Sequence, residues 1–291
     1  MNIKSISIRT ALVASVLTIY SCGGGEPKES PDTAPTTDST EVQAEVESEA
    51  PTYPLPSPLQ IASIFKKSGL KYFEGLTNPT SNISKYSSNT SKSINLGVYS
   101  ADMAYAALNK QNQATIDYLK ASRQLADQMG MGSIFETNNL FKRFEKNVSN
   151  EDSLASIIAE LQMETDMYLE DNEREHVSAI VFAGAWTESM YIGSKVYEKN
   201  KDAKITARIV EQMTILTNII HVLKSYEAKD NTITSIVTDL SLIKDTYAGL
   251  ESVKKAQAND SEDAPAIVLT EAEAMLVSKQ IIEVRTKFIN G

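Results

Sequence analysis

The sequence predicts an all-α protein: a bundle of about eight or nine mostly antiparallel helices behind a disordered N-terminal tether. Three observations predict it. From Lys92 to Phe288 a single proline, Pro265, interrupts the chain. Over that span apolar residues recur at intervals of three and four, the period of a helix. No segment reads convincingly as a strand, so helices must bury the apolar surface against one another.

Taken in order, Ser57-Pro58 is a helix cap followed by proline at the first helical position, opening a helix expected to reach Leu76. The polar stretch Asn78 to Ser91 reads as a loop with room for one short helical turn. Ile116, Leu119, Ala126 and Met129 then line one helix, which should stop at Gly130 or Gly132. Leu154, Ile157, Leu161 and Tyr168 line another. Val177 to Tyr197 is the least polar helix, apolar on all sides, and so should be central. Ile205, Ile209, Met213, Leu216, Ile220 and Leu223 mark the next. Ile233, Ile236, Leu240, Ile243, Tyr247 and Leu250 alternate spacings of three and four, the seam of long helices packed nearly antiparallel. An acidic loop, Ala258 to Pro265, precedes the last helix. That helix opens with a Thr270/Glu273 capping box and turns Val277, Ile281, Val284 and Phe288 inward.

The N-terminal end follows other rules. Lys4 and Arg9 precede an apolar run, Ala11 to Tyr20, and a small residue, Ser21. That is the pattern of a secretory signal, and the run is about half the ~20 residues a spanning helix needs. Cys22, the only cysteine in the chain, comes next. From Gly23 to Ser57 the chain holds six of its nine prolines, and Glu26 to Glu49 holds eight acids against one base, Lys28. Low hydrophobicity and like charge cannot offset the entropy of ordering such a segment. It should behave as a tether with an end-to-end distance of about 35 Å. The organisation expected is therefore a signal peptide (1–21), a tether (22–57) and one helical domain (58–291). The formal net charge of −10 resides mostly in the tether and argues against nucleic acid as a partner.

Ile19-Tyr20-Ser21-Cys22 resembles the lipobox of bacterial lipoproteins. The resemblance implies cleavage before Cys22, diacylglycerol on its sulfur and an acyl chain such as palmitate on its new amine. Two or three such chains hold a protein firmly at a bilayer. Gly23, rather than aspartate, follows the cysteine, which by the family pattern implies the outer membrane. With Cys22 lipidated, no thiol remains for a disulfide, a metal or a nucleophile.

Within the domain, "GVYSADMAY" (Gly97 to Tyr105) and "GAWTESMY" (Gly184 to Tyr191) echo one another: glycine, any residue, aromatic, hydroxyl, then acid-x-x-Tyr. Each sets a carboxylate, Asp102 or Glu188, in an apolar helix. A buried carboxylate without partners costs several kcal/mol, so each needs a hydrogen bond, an ion pair or a proton. If the two helical faces meet, Asp102, Glu188, Tyr105, Tyr191, Tyr99 and Trp186 could line a small-molecule or cation site. The alternative is a set of satisfied core polar groups, which structural networks produce more often. Both stretches also resemble segments of helical lipoproteins of unassigned activity from Bacteroidetes-type bacteria, a resemblance that implies location and fold only.

Other constellations are weaker. Glu173 and His176 have the Glu-x-x-His spacing of di-iron bundles, but His221, the only other histidine, has Asn218 where a second glutamate would stand. "EDNEREH" reads instead as a solvated helix start. "NDSEDA", Asn259 to Ala264, lacks the glycine and closing glutamate of a helix–loop–helix calcium site. No nucleophile elbow or phosphate-binding loop is present, and two histidines leave little for acid–base chemistry. The expectation is a non-enzymatic envelope protein with no catalytic residues, no metal and no cofactor beyond the lipid on Cys22. It would bind an envelope protein partner or support structure, with small-molecule or cation binding at Asp102/Glu188 as the alternative.

Overall fold

The structure, a computed structural model, describes residues 56–258 and 266–291. The signal peptide, Cys22, nearly all of the tether and the acidic loop from Asn259 to Pro265 lie outside the described residues. The described residues are all-α. Eleven α-helices and two 3-10 segments follow one another, with no strand among them.

Helix α1 spans Pro58–Lys67, capped by Ser57, whose side chain accepts from the Gln60 N–H while Gln60 returns a bond to the Ser57 N–H. It is shorter than expected. Gly69 turns left-handed at φ 91°, and the Gly69 and Leu70 N–H groups bond back to Lys66 and Phe65, closing the last turn nine residues before Leu76. Leu70 and Leu76 are still buried, but from an irregular segment, so apolar residues continue beyond the end of the helix. A 3-10 segment, Thr80–Lys85, fills the polar loop. Ser88 then caps α2, Asn89–Leu108, and α3, Asn112–Gln128, folds back along it so that Met129 beyond its end reaches Ser93 near the start of α2.

Short helices α4 (Ser133–Glu136) and α5 (Leu140–Asn147) lead into α6, Glu151–Asp171. The stretch "EDNEREH" proves to be a junction and not a helix start. Glu170 and Asp171 end α6, a turn at Asn172–Arg174 follows, and Glu175 opens α7, Glu175–Asn200. Helices α8 (Ala203–Ser225), α9 (Ile233–Ala248), α10 (Glu251–Gln257) and α11 (Glu271–Asn290) complete the fold. The predicted capping box on α11 is present. Glu273 also accepts from the Ser252 N–H and hydroxyl, which holds its carboxyl down at about 2.

Everything else is arranged around α2 and α7. Helix α2 serves two cores: Ile94, Val98 and Tyr105 pack with α1, α7, α8, α9 and α11, while Leu96, Tyr99, Met103 and Ala106 pack with α3 to α6. Helix α7 is buried on every side, as its composition requires. The two helices touch backbone to backbone through the glycines of the repeated motif. A Cβ on Gly97 would lie 1.8 Å from the Val181 carbonyl oxygen, and one on Gly184 would lie 2.0 Å from that of Ile94. The contact is reciprocal, because Ile94 and Val181 each stand three residues before the glycine of their own helix. Contacts from Ile94 and Gly97 with Val181 to Ala185, and from Asp102 with Glu188, advance along both helices in the same sense. These two therefore run parallel, with α3 to α6 as the crossover between them.

Because the clash at either glycine is with backbone, relief requires the helices to separate. Gly97→Ala and Gly184→Ala should each cost about 3 kcal/mol or more in a urea denaturation experiment. A near-neutral effect at either site would contradict this packing.

Candidate functional site

The parallel register brings the two acids together. Both Asp102 and Glu188 are completely buried, and a third residue from α11 joins them: Arg285, only 7% exposed. Its Nε and Nη2 donate to Glu188 Oε2 and Oε1, both at 2.8 Å. A guanidinium bonded to both carboxylate oxygens is the strongest form of this pair. The face of Tyr191 lies 4.1 Å from the guanidinium carbon, adding a cation–π contact where water is excluded.

Asp102 has a different partner. Its Oδ2 accepts from the Asn78 N–H at 3.0 Å, and Oδ1 has no hydrogen-bond donor. Two ionised carboxylates against one guanidinium would leave a net negative charge in the core, at a cost of several kcal/mol. A proton on Asp102 removes it. Burial, and next the Glu188 charge, drive the Asp102 carboxyl well above the ordinary carboxylate range, with Arg285 and the Asn78 N–H opposing. The neutral acid can then donate to Glu188, and the cluster as a whole is uncharged.

Asn78 extends the network. Its Nδ2 donates to the Tyr86 hydroxyl at 2.9 Å, and its Oδ1 accepts from Asn82. The four aromatic residues predicted for the site divide. Tyr191 belongs to it. Tyr99 donates to the Pro79 carbonyl at 3.0 Å and so fixes the loop that carries Asn78. Tyr105 is used on the segment after α1, where its hydroxyl donates to the Lys71 carbonyl and accepts from the Phe73 N–H, and burial pushes it up to about 12. Trp186 is fully buried, and its Nε1 has no partner.

Sequence reasoning missed Arg285, Asn78 and Tyr86. A signal existed for the first: Arg285 follows Ile281 by four, on the stripe of α11 that also carries Ser278 and Phe288. Glu173 and His176 do not form a metal centre with other residues, and the described residues hold no group of three metal-binding side chains.

The acid–arginine cluster is a closed knot. A cavity of about 490 Å3 opens elsewhere, between α6 and a floor made by α2, α3 and α7, in the size range of small-molecule sites. Leu96, Met103, Met131, Leu161, Leu169 and Phe182 are among its apolar walls, and neither Asp102 nor Glu188 lines it. Ser122, 3% exposed on α3, is among the lining residues, and its own Oγ is buried without a partner. The charged residues on its wall are Asp166, Glu170 and Glu175. In comparisons with known proteins, no family model, curated protein or solved structure matches this chain.

Two substitutions separate a structural knot from a ligand site. Glu188→Gln strands the buried guanidinium and should cost about 3–5 kcal/mol by denaturant titration. Asp102→Asn keeps the shape and supplies a donor toward Glu188. With the folded-state value raised, the wild type is most stable below the ordinary carboxylate value near pH 4. Above it, stability is lost by up to about 1.4 kcal/mol per pH unit until the folded-state value is reached. Asp102→Asn should therefore match or exceed wild-type stability at neutral pH, with an advantage that grows as pH rises. A variant less stable by the same amount at every pH would contradict a protonated Asp102.

Proposed function

We propose that this protein is a lipid-anchored component of a bacterial cell envelope. In this reading its helical domain is a non-enzymatic binding module for a small apolar molecule, held in the cavity between α6 and the α2/α3/α7 floor. The observation that carries the binding reading is the cavity itself. It is large and mostly apolar, walled by residues of α2, α3, α6 and α7. An apolar ligand filling it would remove that wall area from water. The cavity lining holds no histidine, cysteine or lysine to activate a nucleophile, which favours binding over catalysis.

Two features weigh against the other readings. Arg285 and a proton on Asp102 balance the charge of Asp102 and Glu188, which weighs against a cation there. Among the described residues the exposed large apolar side chains are few: Met163 and Met167 on α6, Leu242 on α9, Val268 before α11 and Leu276 on it. The anchor rests on the lipobox-like sequence at Cys22 and on the acidic, proline-rich stretch after it, a length suited to hold a domain away from a membrane surface. None of the described helices is long and apolar enough to cross a membrane.

Both parts are testable. The mature polypeptide, produced without lipid, should bind the neutral apolar dye N-phenyl-1-naphthylamine saturably at one site. Ala126→Phe from the floor, or Leu161→Trp from α6, should fill the cavity and abolish that binding while the helical circular dichroism persists. Dye binding undiminished in both variants would refute the site. For the anchor, Cys22→Ser should move the protein out of the membrane fraction and abolish labelling by a palmitate analogue. Complete retention in the membrane would refute it.

A further inference from the structure

The walls of the cavity are apolar, but its charged residues are all of one sign. Asp166 and Glu170 on α6 and Glu175 at the start of α7 line it, and no lysine, arginine or histidine does. Helix α6, which forms one side, carries seven acids and no base along its length. Of the three carboxylates only Glu175 has a cation nearby, the Lys229 ammonium at 3.9 Å, and its Oε2 is buried without a hydrogen-bond donor. Asp166 accepts from the Ser178 hydroxyl at 2.8 Å, a neutral partner. Arg174, the nearest guanidinium in sequence, is turned away to the Met129 carbonyl. Asp166 and Glu170 are both exposed, which puts them at the rim; Ser122 is buried at the floor.

On the basis of the proposed binding function, we infer that the cavity selects cationic amphiphiles: molecules with an apolar body and a protonated amine at one end. The body fills the space between α6 and the floor, and the amine stays at the rim among the Asp166, Glu170 and Glu175 carboxylates. An anionic amphiphile of the same length would place its carboxylate against those of the rim, where like charge opposes it. Partial desolvation at the rim holds the Asp166 carboxyl above its ordinary value, and a bound ammonium would act in the opposite direction by favouring the ionised form.

The test uses three probes of equal length and different heads: decylamine, decanol and decanoate, each titrated into the mature polypeptide at neutral pH below its micelle concentration. Decylamine should bind tightest, about tenfold or more over decanoate, the scale expected from two or three partly exposed charges. Raising the salt to about 0.5 M should shrink that ratio, because rim charges are screened. In the Asp166→Asn, Glu170→Gln double variant, both changes being at exposed positions, the preference should fall to within about threefold while decanol affinity holds. Equal affinities in the wild type, tighter binding of decanoate, or a preference that survives the double variant would overturn the inference and leave the apolar-binding reading standing. Failure of all three probes to bind would overturn both.

Discussion

The contact on which the fold depends is the approach of two backbones at Gly97 and Gly184. Only hydrogen fits between each glycine and the opposing carbonyl, so α2 and α7 lie closer than side chains would allow. That closeness sets the register. Five residues beyond Gly97 and four beyond Gly184, the Asp102 and Glu188 carboxyls are brought side by side in a region from which water is excluded. Arg285 must then come from the last helix, and Asn78 from the loop before α2, to satisfy what the crossing has buried. The polar cluster thus ties the chain's distant parts to one point. Asn95, also on α2, adds a second tie by donating to the Phe288 carbonyl on α11.

Such a cluster contributes more to specificity than to net stability. Its desolvation cost is comparable to its Coulomb gain, whereas losing any one partner leaves an uncompensated buried charge. A helix apolar on all sides, like α7, has no preferred rotation within a bundle. A single carboxylate that can be satisfied in only one orientation provides that preference. The repeated glycine–aromatic–acid motif is then a device for locking two parallel helices, used once from each side. The cavity lies beside it: Leu96, Ser100 and Met103 line it from the stretch of α2 that carries Gly97 and Asp102, and on α7 it reaches Ala185, three residues before Glu188. Rigidity at the knot and open space beside it are consequences of one crossing.

Much of this was legible in the sequence. Spacings of three and four located α3, α6, α8, α9 and α11, apolar composition located α2 and α7, and the capping box at Thr270 and the proline at Pro58 gave two helix starts. The two acids in apolar helices marked faces that needed partners, without saying that they meet each other. What was not legible was set by partners distant in sequence. Arg285 sits in a run, "EVRTKF", that looks like any amphipathic helix end until Glu188 faces it. Asn78 acts through its backbone N–H, which no residue type reveals. The end of α1 was missed because Leu70 and Leu76 are buried from an irregular segment held by Tyr105, so apolar residues continue past the helix without helical backbone. The cavity was invisible for the same reason. It is a gap between α6 and residues as far back as Pro58, and sequence periodicity reports faces, not the space between them.

The central claim is a division of labour, with the acid–arginine cluster as the lock and the α6-covered cavity as the receptor. Crystals soaked with 1-bromodecane and measured at the bromine absorption edge test it in a single experiment. The account predicts an anomalous peak in the cavity, between Ser122 on α3 and the inner face of α6, with the Glu188–Arg285 pair undisturbed. An empty cavity, or bromine bound beside Asp102 and Glu188, would contradict it.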